Sequence, residues 1–120
     1  MVEDDQLVSE MILRILEGDH ELTSVEDGQE ALELITSGKT FDVILCDLMM
    51  PRMTGDDLYA ALAATHPELI ERMIFVTGGA FTPEARAFLD TVRNPVLEKP
   101  FLPRNLRALV DGVKTSTPTR

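Results

Sequence analysis

Three short, largely apolar runs of this sequence each end at a residue that could take part in chemistry: Asp47 after 43–46, Thr77 after 73–76 and Lys99 after 96–98. Runs of this kind are typical of strands that are buried on both faces of a parallel sheet. Because the carboxyl ends of parallel strands meet at one edge of a sheet, where ligands bind, these three side chains are expected to lie together. The acidic pair Glu3-Asp4 near the start of the chain is expected at the same edge.

The residue types in this group favour one kind of chemistry. Clustered carboxylates such as Glu3, Asp4 and Asp47 repel one another unless a cation offsets their charge. Hard oxygen ligands with no histidine or cysteine nearby suit Mg²⁺, which prefers carboxylate and phosphate oxygens. A hydroxyl from Thr77 and an ammonium from Lys99 are what the remaining oxygens of a phosphoryl group would need. The group therefore indicates metal-assisted transfer of a phosphoryl group to Asp47.

The rest of the sequence supplies the helices and strands that would position these residues. Apolar residues at helical spacing and helix stop signals predict helices near 6–17, 30–35, 56–65, 83–92 and 102–113. Strands are predicted at 22–25, 42–46, 73–76 and 96–98, with Asp27-Gly28 closing the first of these. Strands and helices alternate, which predicts an α/β domain with one parallel sheet and helices on both of its faces.

Composition limits the classes of function. A chain of 120 residues is long enough for one domain with a single core. The formal net charge of −10 argues against direct binding of nucleic acid, and no apolar run reaches the length of a membrane span. A cytoplasmic location without membrane contact is therefore expected. The single cysteine, Cys46, excludes an internal disulfide and is expected to be a buried core residue.

At this point the sequence resembles a response-regulator receiver domain of two-component signalling over nearly its whole length. The motifs that carry the resemblance are Glu3-Asp4, the segment 47–55 that begins at Asp47, Thr77-Gly78 and Lys99-Pro100-Phe101. The resemblance implies a flavodoxin-like (βα)5 fold with strand order 2-1-3-4-5. It also implies a cis peptide bond between Lys99 and Pro100.

The resemblance also assigns roles to the residues of the site. Asp47 would be the phospho-acceptor, Thr77 would hydrogen-bond the phosphoryl group, and Lys99 would pair with it. Mg²⁺ would be held by Glu3, Asp4, Asp47 and the main-chain carbonyl of Met49. The phosphoryl donor would be a histidine kinase or a histidine phosphotransfer domain. No independent enzyme activity is implied beyond phosphorylation and dephosphorylation at Asp47.

Two segments suggest how the domain is used. The segment Leu97 to Phe101, which contains the end of the last predicted strand, resembles the same segment in receivers fused to hybrid histidine kinases. Many receivers carry Tyr or Phe three residues before the lysine, whereas this chain has Val96, so phosphorylation would be read out in another way or the phosphoryl group would be passed on. The receiver domain is expected to cover residues 1–114, followed by a polar tail at 115–120.

The start of the chain departs from the family pattern. Only Met1 and Val2 precede the acidic pair, so the first strand, which lies in the middle of the expected sheet, is predicted to be truncated. Unpaired backbone groups on its two neighbours would then favour self-association by strand addition.

Two other functions remain open from the sequence. A phosphatase of the haloacid dehalogenase type also uses an aspartate after a buried strand, but it needs a second aspartate where this chain has Met49. A pseudo-receiver would keep the fold as a docking module without phosphorylation, against which the presence of Asp47, Thr77 and Lys99 argues.

Overall fold

The structure is a computed structural model that describes residues 1–2, 6–16, 23, 25, 27–39, 41–48, 53–77, 83–99 and 101–116. Within this part of the chain the helices are α1 (Gln6–Leu16), α2 (Gly28–Thr36), α3 (Gly55–Thr65), α4 (Pro83–Thr91) and α5 (Pro103–Ser116). The strands are β1 (Ile44–Asp47), β2 (Met73–Thr77) and β3 (Val96–Glu98), and a 3₁₀ helix spans Pro67–Arg72. None of these helices is long and apolar enough to cross a membrane.

The strands form one parallel sheet in the order β1-β2-β3. Val2 adds a parallel bridge to Val25 on one side and another to Cys46 of β1 on the other. These bridges give Val2 the two neighbours that the first strand has in the order 2-1-3-4-5. The prediction of a single parallel sheet is confirmed, while the complete five-strand order stays a prediction.

Met1 and Val2 supply backbone hydrogen bonds to both neighbours. The Val2 N–H donates to the carbonyl of Leu45 at 2.7 Å, and the Val2 carbonyl accepts from Asp47 N–H at 2.9 Å. On the other side the Met1 carbonyl accepts from Val25 N–H at 3.0 Å. The Met1 amino group is buried, and this loss of hydration lowers its pKa to about 6. Met1 and Val2 therefore pair with both neighbours, which reduces the number of unpaired groups on which the predicted self-association was based.

Helices cover both faces of the sheet, as the alternating pattern predicts. Because neighbouring residues of a strand point to opposite faces, β1 and β2 each contribute to two apolar layers. One layer packs β1 and β2 against α2 and α3 through Ala31, Ile35, Ile44, Cys46, Leu58, Leu62, Met73 and Phe75. The other packs all three strands against α1 and α5 through Ile12, Leu16, Leu45, Ile74, Leu97, Leu106, Val110 and Val113. Cys46 is buried and free of any disulfide, as expected.

Aromatic rings connect α3 and α4 to the centre of the sheet. Phe88 of α4 makes edge-to-face contacts with Phe75 of β2 and with Tyr59 of α3, both with ring centroids 5.2 Å apart. Tyr59 and Phe75 complete the group at 6.1 Å. Of the nine residues of α4, all of which the structure describes, Ala85 alone is fully buried. The ring contacts are therefore a large part of what holds α4 in place.

Two local features go beyond the predictions from the sequence. Asp27 and Gly28, which were expected to close the strand at 22–25, also begin α2 two residues before its predicted start: Asp27 is the N-cap, its side chain accepts from Glu30 N–H at 3.0 Å, and Gly28 is the first helical residue. The helix predicted at 56–65 ends at Thr65 as expected, and Pro67 then begins a 3₁₀ helix that was not predicted, whose Leu69 is buried in the core. Proline suits the first position of a helix because its missing N–H would have no partner there.

Candidate functional site

Asp47 is the last residue of β1, a strand that is buried along its whole length. The strand ends there in the structure as it does in the sequence, where the apolar run meets a carboxylate. The side chain of Asp47 is only 8% exposed. A carboxylate at such a position needs a compensating cation or donor, because burial in apolar surroundings disfavours the charged form.

Lys99 provides a positive charge for this carboxylate. Its Nζ lies 3.0 Å from Oδ2 of Asp47, although the two residues are 52 positions apart in the sequence. The backbone N–H of Lys99 donates to the carbonyl of Thr77 at 2.7 Å, which fixes the backbone of Lys99 beside the end of β2. The side chain of Lys99 is 23% exposed, so the ion pair lies at the edge of the core and in contact with solvent.

Thr77 is the last residue of β2 and is buried, with 1% of its surface exposed. The register pairs Asp47 with Val76 and Thr77 with Glu98, so Thr77 lies one position beyond Asp47 along the sheet. The structure thus brings the ends of β1, β2 and β3 together at one edge, as the sequence predicted for Asp47, Thr77 and Lys99.

Of the four predicted Mg²⁺ ligands, Asp47 is the one that lies within the described residues. Asp47 offers carboxylate oxygen, and no cluster of three or more histidine, cysteine, aspartate or glutamate side chains is found within the described residues. The other predicted ligands, Glu3, Asp4 and Met49, lie outside the described residues, as do Gly78 and Pro100 with its predicted cis bond. The Mg²⁺ site therefore stays a prediction that the chemistry of Asp47 fits.

Two glycines contact the connection between Asp47 and α3, and the sequence did not reveal this role. The Gly55 N–H donates to the carbonyl of Leu48 at 3.0 Å, and a Cβ on Gly55 would lie 2.9 Å from the carbonyl oxygen of Asp47. A Cβ on Gly28 would lie 2.9 Å from Cγ and 3.0 Å from the carbonyl oxygen of Met53. The pattern Asp27-x-x-Glu30, which is typical of a helix N-terminus, was the signal that could have placed Gly28 at a helix start.

Val96 lies where many receivers carry an aromatic residue. It is the register partner of Phe75 and is 38% exposed on β3, at the edge of the described sheet. The aromatic ring nearest in register belongs to Phe75 on the neighbouring strand β2, and it is fully buried against α3 and α4. A signalling rearrangement based on an aromatic side chain at position 96 is therefore absent from this chain.

Comparison with known proteins agrees with this geometry. The family model described as "Response regulator receiver domain" matches residues 1–111. The response regulator MprA of Mycolicibacterium vanbaalenii is 33% identical over 109 residues, which are 90% of this chain and 46% of that protein. The sensor kinase CckA of Brucella abortus is 33% identical over 116 residues, which are 95% of this chain and 12% of that protein. The chain thus spans less than half the length of these two relatives.

Solved structures show the same fold. The receiver domain of the Francisella response regulator 1452 superposes with a TM-score of 0.78 and 28% identity, covering 98% of this chain and 95% of that one. The receiver domain of NtrX from Brucella abortus, at 21% identity, has a TM-score of 0.82 and covers 96% of each chain, which shows the fold alone. The fold is therefore the flavodoxin-like one of receiver domains. On the family match, the sequence relatives and the shared fold, the chain belongs to the response regulator receiver domains of two-component signalling.

Proposed function

We propose that Asp47 accepts a phosphoryl group from a phosphohistidine and that the domain signals or relays it in a phosphorelay. The observation that carries the proposal is the buried carboxylate of Asp47 at the carboxyl end of β1, paired with Lys99 at 3.0 Å. A nucleophile held at a strand end beside an ammonium needs little further chemistry for phosphoryl transfer, because catalysis of this reaction is mostly positioning and charge stabilisation.

In the proposed step an oxygen of Asp47 attacks the phosphorus atom in line with the leaving nitrogen. The new P–O bond forms while the P–N bond of the phosphohistidine breaks, and the released imidazole takes up a proton from solvent. Lys99 then pairs with an oxygen of the transferred group, and the hydroxyl of Thr77 donates to another. The acyl phosphate is later hydrolysed, or its phosphoryl group passes to a second histidine.

Glu3, Asp4, Asp47 and the carbonyl of Met49 are the residues that would hold Mg²⁺ in this proposal. When bound, Mg²⁺ neutralises negative charge on the carboxylates and the phosphoryl oxygens. Lys99 cannot do this for the whole site, since one ammonium faces several anionic oxygens. Phosphoryl uptake is therefore proposed to require the metal.

The partner in this proposal is a histidine kinase or a histidine phosphotransfer domain in the cytoplasm. The support is membership of the receiver family and the sequence similarity to a response regulator and to a sensor kinase. Fusion to a kinase, as the ending 97–101 suggests, and self-association through the first strand also remain part of the proposal.

The test is phosphorylation by acetyl phosphate with Mg²⁺, followed by intact-protein mass spectrometry. We expect one phosphoryl adduct on the parent protein, none after Asp47→Ala, and none for the parent in excess chelator. Asp42→Ala is the matched control, because Asp42 is an exposed aspartate shortly before the same strand, and its adduct should equal that of the parent. Lys99→Ala should stay folded and bind Mg²⁺ but lose most of the uptake, whereas Lys39→Ala, at an exposed lysine, should not.

Three results would contradict the proposal. An adduct that persists in Asp47→Ala would mean that another residue is the acceptor. An adduct that still forms in excess chelator would mean that phosphorylation does not require Mg²⁺. A parent protein that takes up no phosphoryl group from acetyl phosphate or from a phosphorylated histidine phosphotransfer domain would instead support the pseudo-receiver function.

A further inference from the structure

Asn94 joins the segments that precede β2 and β3, at the edge of the sheet opposite to Asp47. Its Nδ2 donates to the carbonyl of Ile70 at 2.8 Å and to the carbonyl of Met73 at 2.9 Å. Ile70 lies in the 3₁₀ helix, and Met73 is the first residue of β2. The carbonyl of Ile70 also accepts from the N–H of Met73, so both acceptors belong to the turn that starts β2. One amide group thus uses both of its protons to hold this turn.

The side chain of Asn94 supplies a hydrogen bond that the backbone of the third strand cannot make. At the other end of the ladder, the carbonyl of Thr77 accepts from the N–H of Lys99, 22 positions later in the sequence (99 − 77 = 22). Because a parallel ladder repeats this step every two residues, the carbonyl of Met73 would accept from the N–H of residue 95. That residue is Pro95, which has no N–H. The amide of Asn94 provides the missing donor at 2.9 Å.

β3 is a short strand whose position depends on its pairing with β2. It has three residues, of which Leu97 alone is buried. Within the described residues β3 pairs with β2 only, so the ladder between these two strands sets its position along the sheet. This ladder is extended before β3 by Asn94 and after β3 by the bond from Lys99 to Thr77. Loss of the bonds from Asn94 leaves the start of β3 able to shift along β2, and Lys99 shifts with it.

We propose that Asn94 is a positioning residue for Lys99. By replacing the N–H that Pro95 lacks, it fixes β3 along β2, and β3 carries this position to the ammonium that lies 3.0 Å from Oδ2 of Asp47. The inference rests on the function proposed above and adds to it a residue about 16 Å away along the strand, at the opposite edge of the sheet. Since Lys99 acts on the phosphoryl group, Mg²⁺ binding should not depend on Asn94.

The test compares Asn94→Asp with Ile35→Val. Asn94→Asp keeps the shape of the side chain but replaces the donor group by an acceptor, so both hydrogen bonds are lost. Ile35→Val removes one buried methyl group on α2 and therefore lowers stability away from β3. Asn94→Ser keeps a hydroxyl that can donate to one of the two carbonyls, and it remains informative if Asn94→Asp does not fold. Thermal unfolding gives the stability of each variant.

The first measurement is hydrogen exchange of the Lys99 backbone amide, followed by NMR in chelator and without a phosphoryl donor. This amide donates to Thr77, so its exchange reports local opening at the end of β3. After correction for overall stability, we expect exchange about tenfold faster in Asn94→Asp and about threefold faster in Asn94→Ser than in Ile35→Val. Equal corrected exchange in these variants would show that Asn94 contributes to overall stability alone, which would overturn the inference.

The second measurement is the rate of phosphorylation by acetyl phosphate over a range of Mg²⁺ concentrations. Asn94→Asp should lower the rate at saturating Mg²⁺ about tenfold, because a misplacement of about 1 Å can cost about a hundredfold and a smaller shift is expected here. The Mg²⁺ concentration for half-maximal rate should stay that of the parent, and Ile35→Val should match the parent in both quantities. A change in the Mg²⁺ dependence of Asn94→Asp would contradict a role through Lys99.

A double variant separates action through Lys99 from a general effect on the site. In the Lys99→Ala background, Asn94→Asp should lower the residual phosphorylation rate no further, because the two residues act as one unit. A loss that adds to that of Lys99→Ala would contradict the inference. A parent that takes up no phosphoryl group refutes the proposed function, and the exchange measurement still decides whether Asn94 positions Lys99. A phosphorylated parent that is matched by Asn94→Asp refutes the role of Asn94 alone.

Discussion

The neighbouring strands β2 and β3 each place a residue of the proposed site, Thr77 at the end of β2 and Lys99 directly after β3, yet they are held in the protein differently. All five residues of β2 are buried, and Phe75 and Ile74 anchor it in the apolar layers on opposite faces of the sheet. Of the three residues of β3, all described, Leu97 alone is buried. The core therefore fixes Thr77, whereas the contacts of Lys99 at the edge of the core include a backbone hydrogen bond to Thr77 and the pairing with Asp47.

This difference suits the two proposed tasks. A hydroxyl that donates to the phosphoryl group must have a constant position, and a strand buried on both faces provides it. An ammonium that pairs first with a carboxylate and then with a phosphoryl oxygen must shift its partner, and a side chain at the edge of the core can do so. Core substitutions should therefore lower stability most in β2. Substitutions that remove a charge should act at the pair formed by Asp47 and Lys99.

The largest expected effect is at Phe75. Phe75→Ala should lower the free energy of unfolding by about 3–5 kcal/mol, because the ring is fully buried and contacts both Tyr59 and Phe88. Val96→Ala, at its register partner on β3, should lower it by less than about 1 kcal/mol, since Val96 is 38% exposed. Urea denaturation measures the free energy of unfolding of both variants. Similar losses in the two would contradict the expected difference between β2 and β3.

An intermediate effect is expected at Leu97. Leu97→Ala should lower the free energy of unfolding by about 2–3 kcal/mol, because this residue alone joins β3 to the layer formed with α1 and α5. Urea denaturation at constant pH is again the measurement, with Val96→Ala as the control on the same strand. If Leu97→Ala proved as mild as Val96→Ala, β3 would be held by its hydrogen bonds to β2 rather than by packing.

The smallest effect concerns the charges. In chelator, Lys99→Ala should lower the free energy of unfolding by about 2 kcal/mol, since it leaves the carboxylate of Asp47 buried without its cation. Asp47→Ala should lower it by less than about 1 kcal/mol, because the freed ammonium of Lys99 can extend into solvent. Thermal and urea unfolding measure the loss of stability in each variant. A greater loss in Asp47→Ala would contradict the expectation that the more buried partner, Asp47, is the costlier one to leave unpaired.

The sequence predicted the parts of the site that depend on strand ends. Asp47, Thr77 and Lys99 each follow an apolar run, and parallel pairing then brings run ends to one edge without further information. The single domain fold followed from the same alternation of runs. Helix ends agreed less well, since the last helix continues to Ser116 and its final two residues fall in the predicted tail.

The sequence could not predict contacts that depend on distances between elements. Gly28 and Gly55 look like ordinary helix-start or loop residues, and their roles appear only when Met53 and the carbonyl of Asp47 are found within 3.0 Å of where a Cβ would stand. The 3₁₀ helix that begins at Pro67 was not predicted for a different reason: the end of α3 at Thr65 was predicted correctly, but a proline that follows a helix equally suits the start of the next one.

The ring contacts between α3 and α4 have an optical consequence. The chain contains one tyrosine and no tryptophan, so a single phenol gives its intrinsic emission and most of its near-ultraviolet dichroism. That phenol is Tyr59, whose ring centroid lies 5.2 Å from Phe88 of α4 and 6.1 Å from Phe75 of β2. Any change in the spacing of these helices alters the surroundings of that one chromophore. The tyrosine fluorescence and near-ultraviolet dichroism of the unlabelled protein therefore report the position of α4.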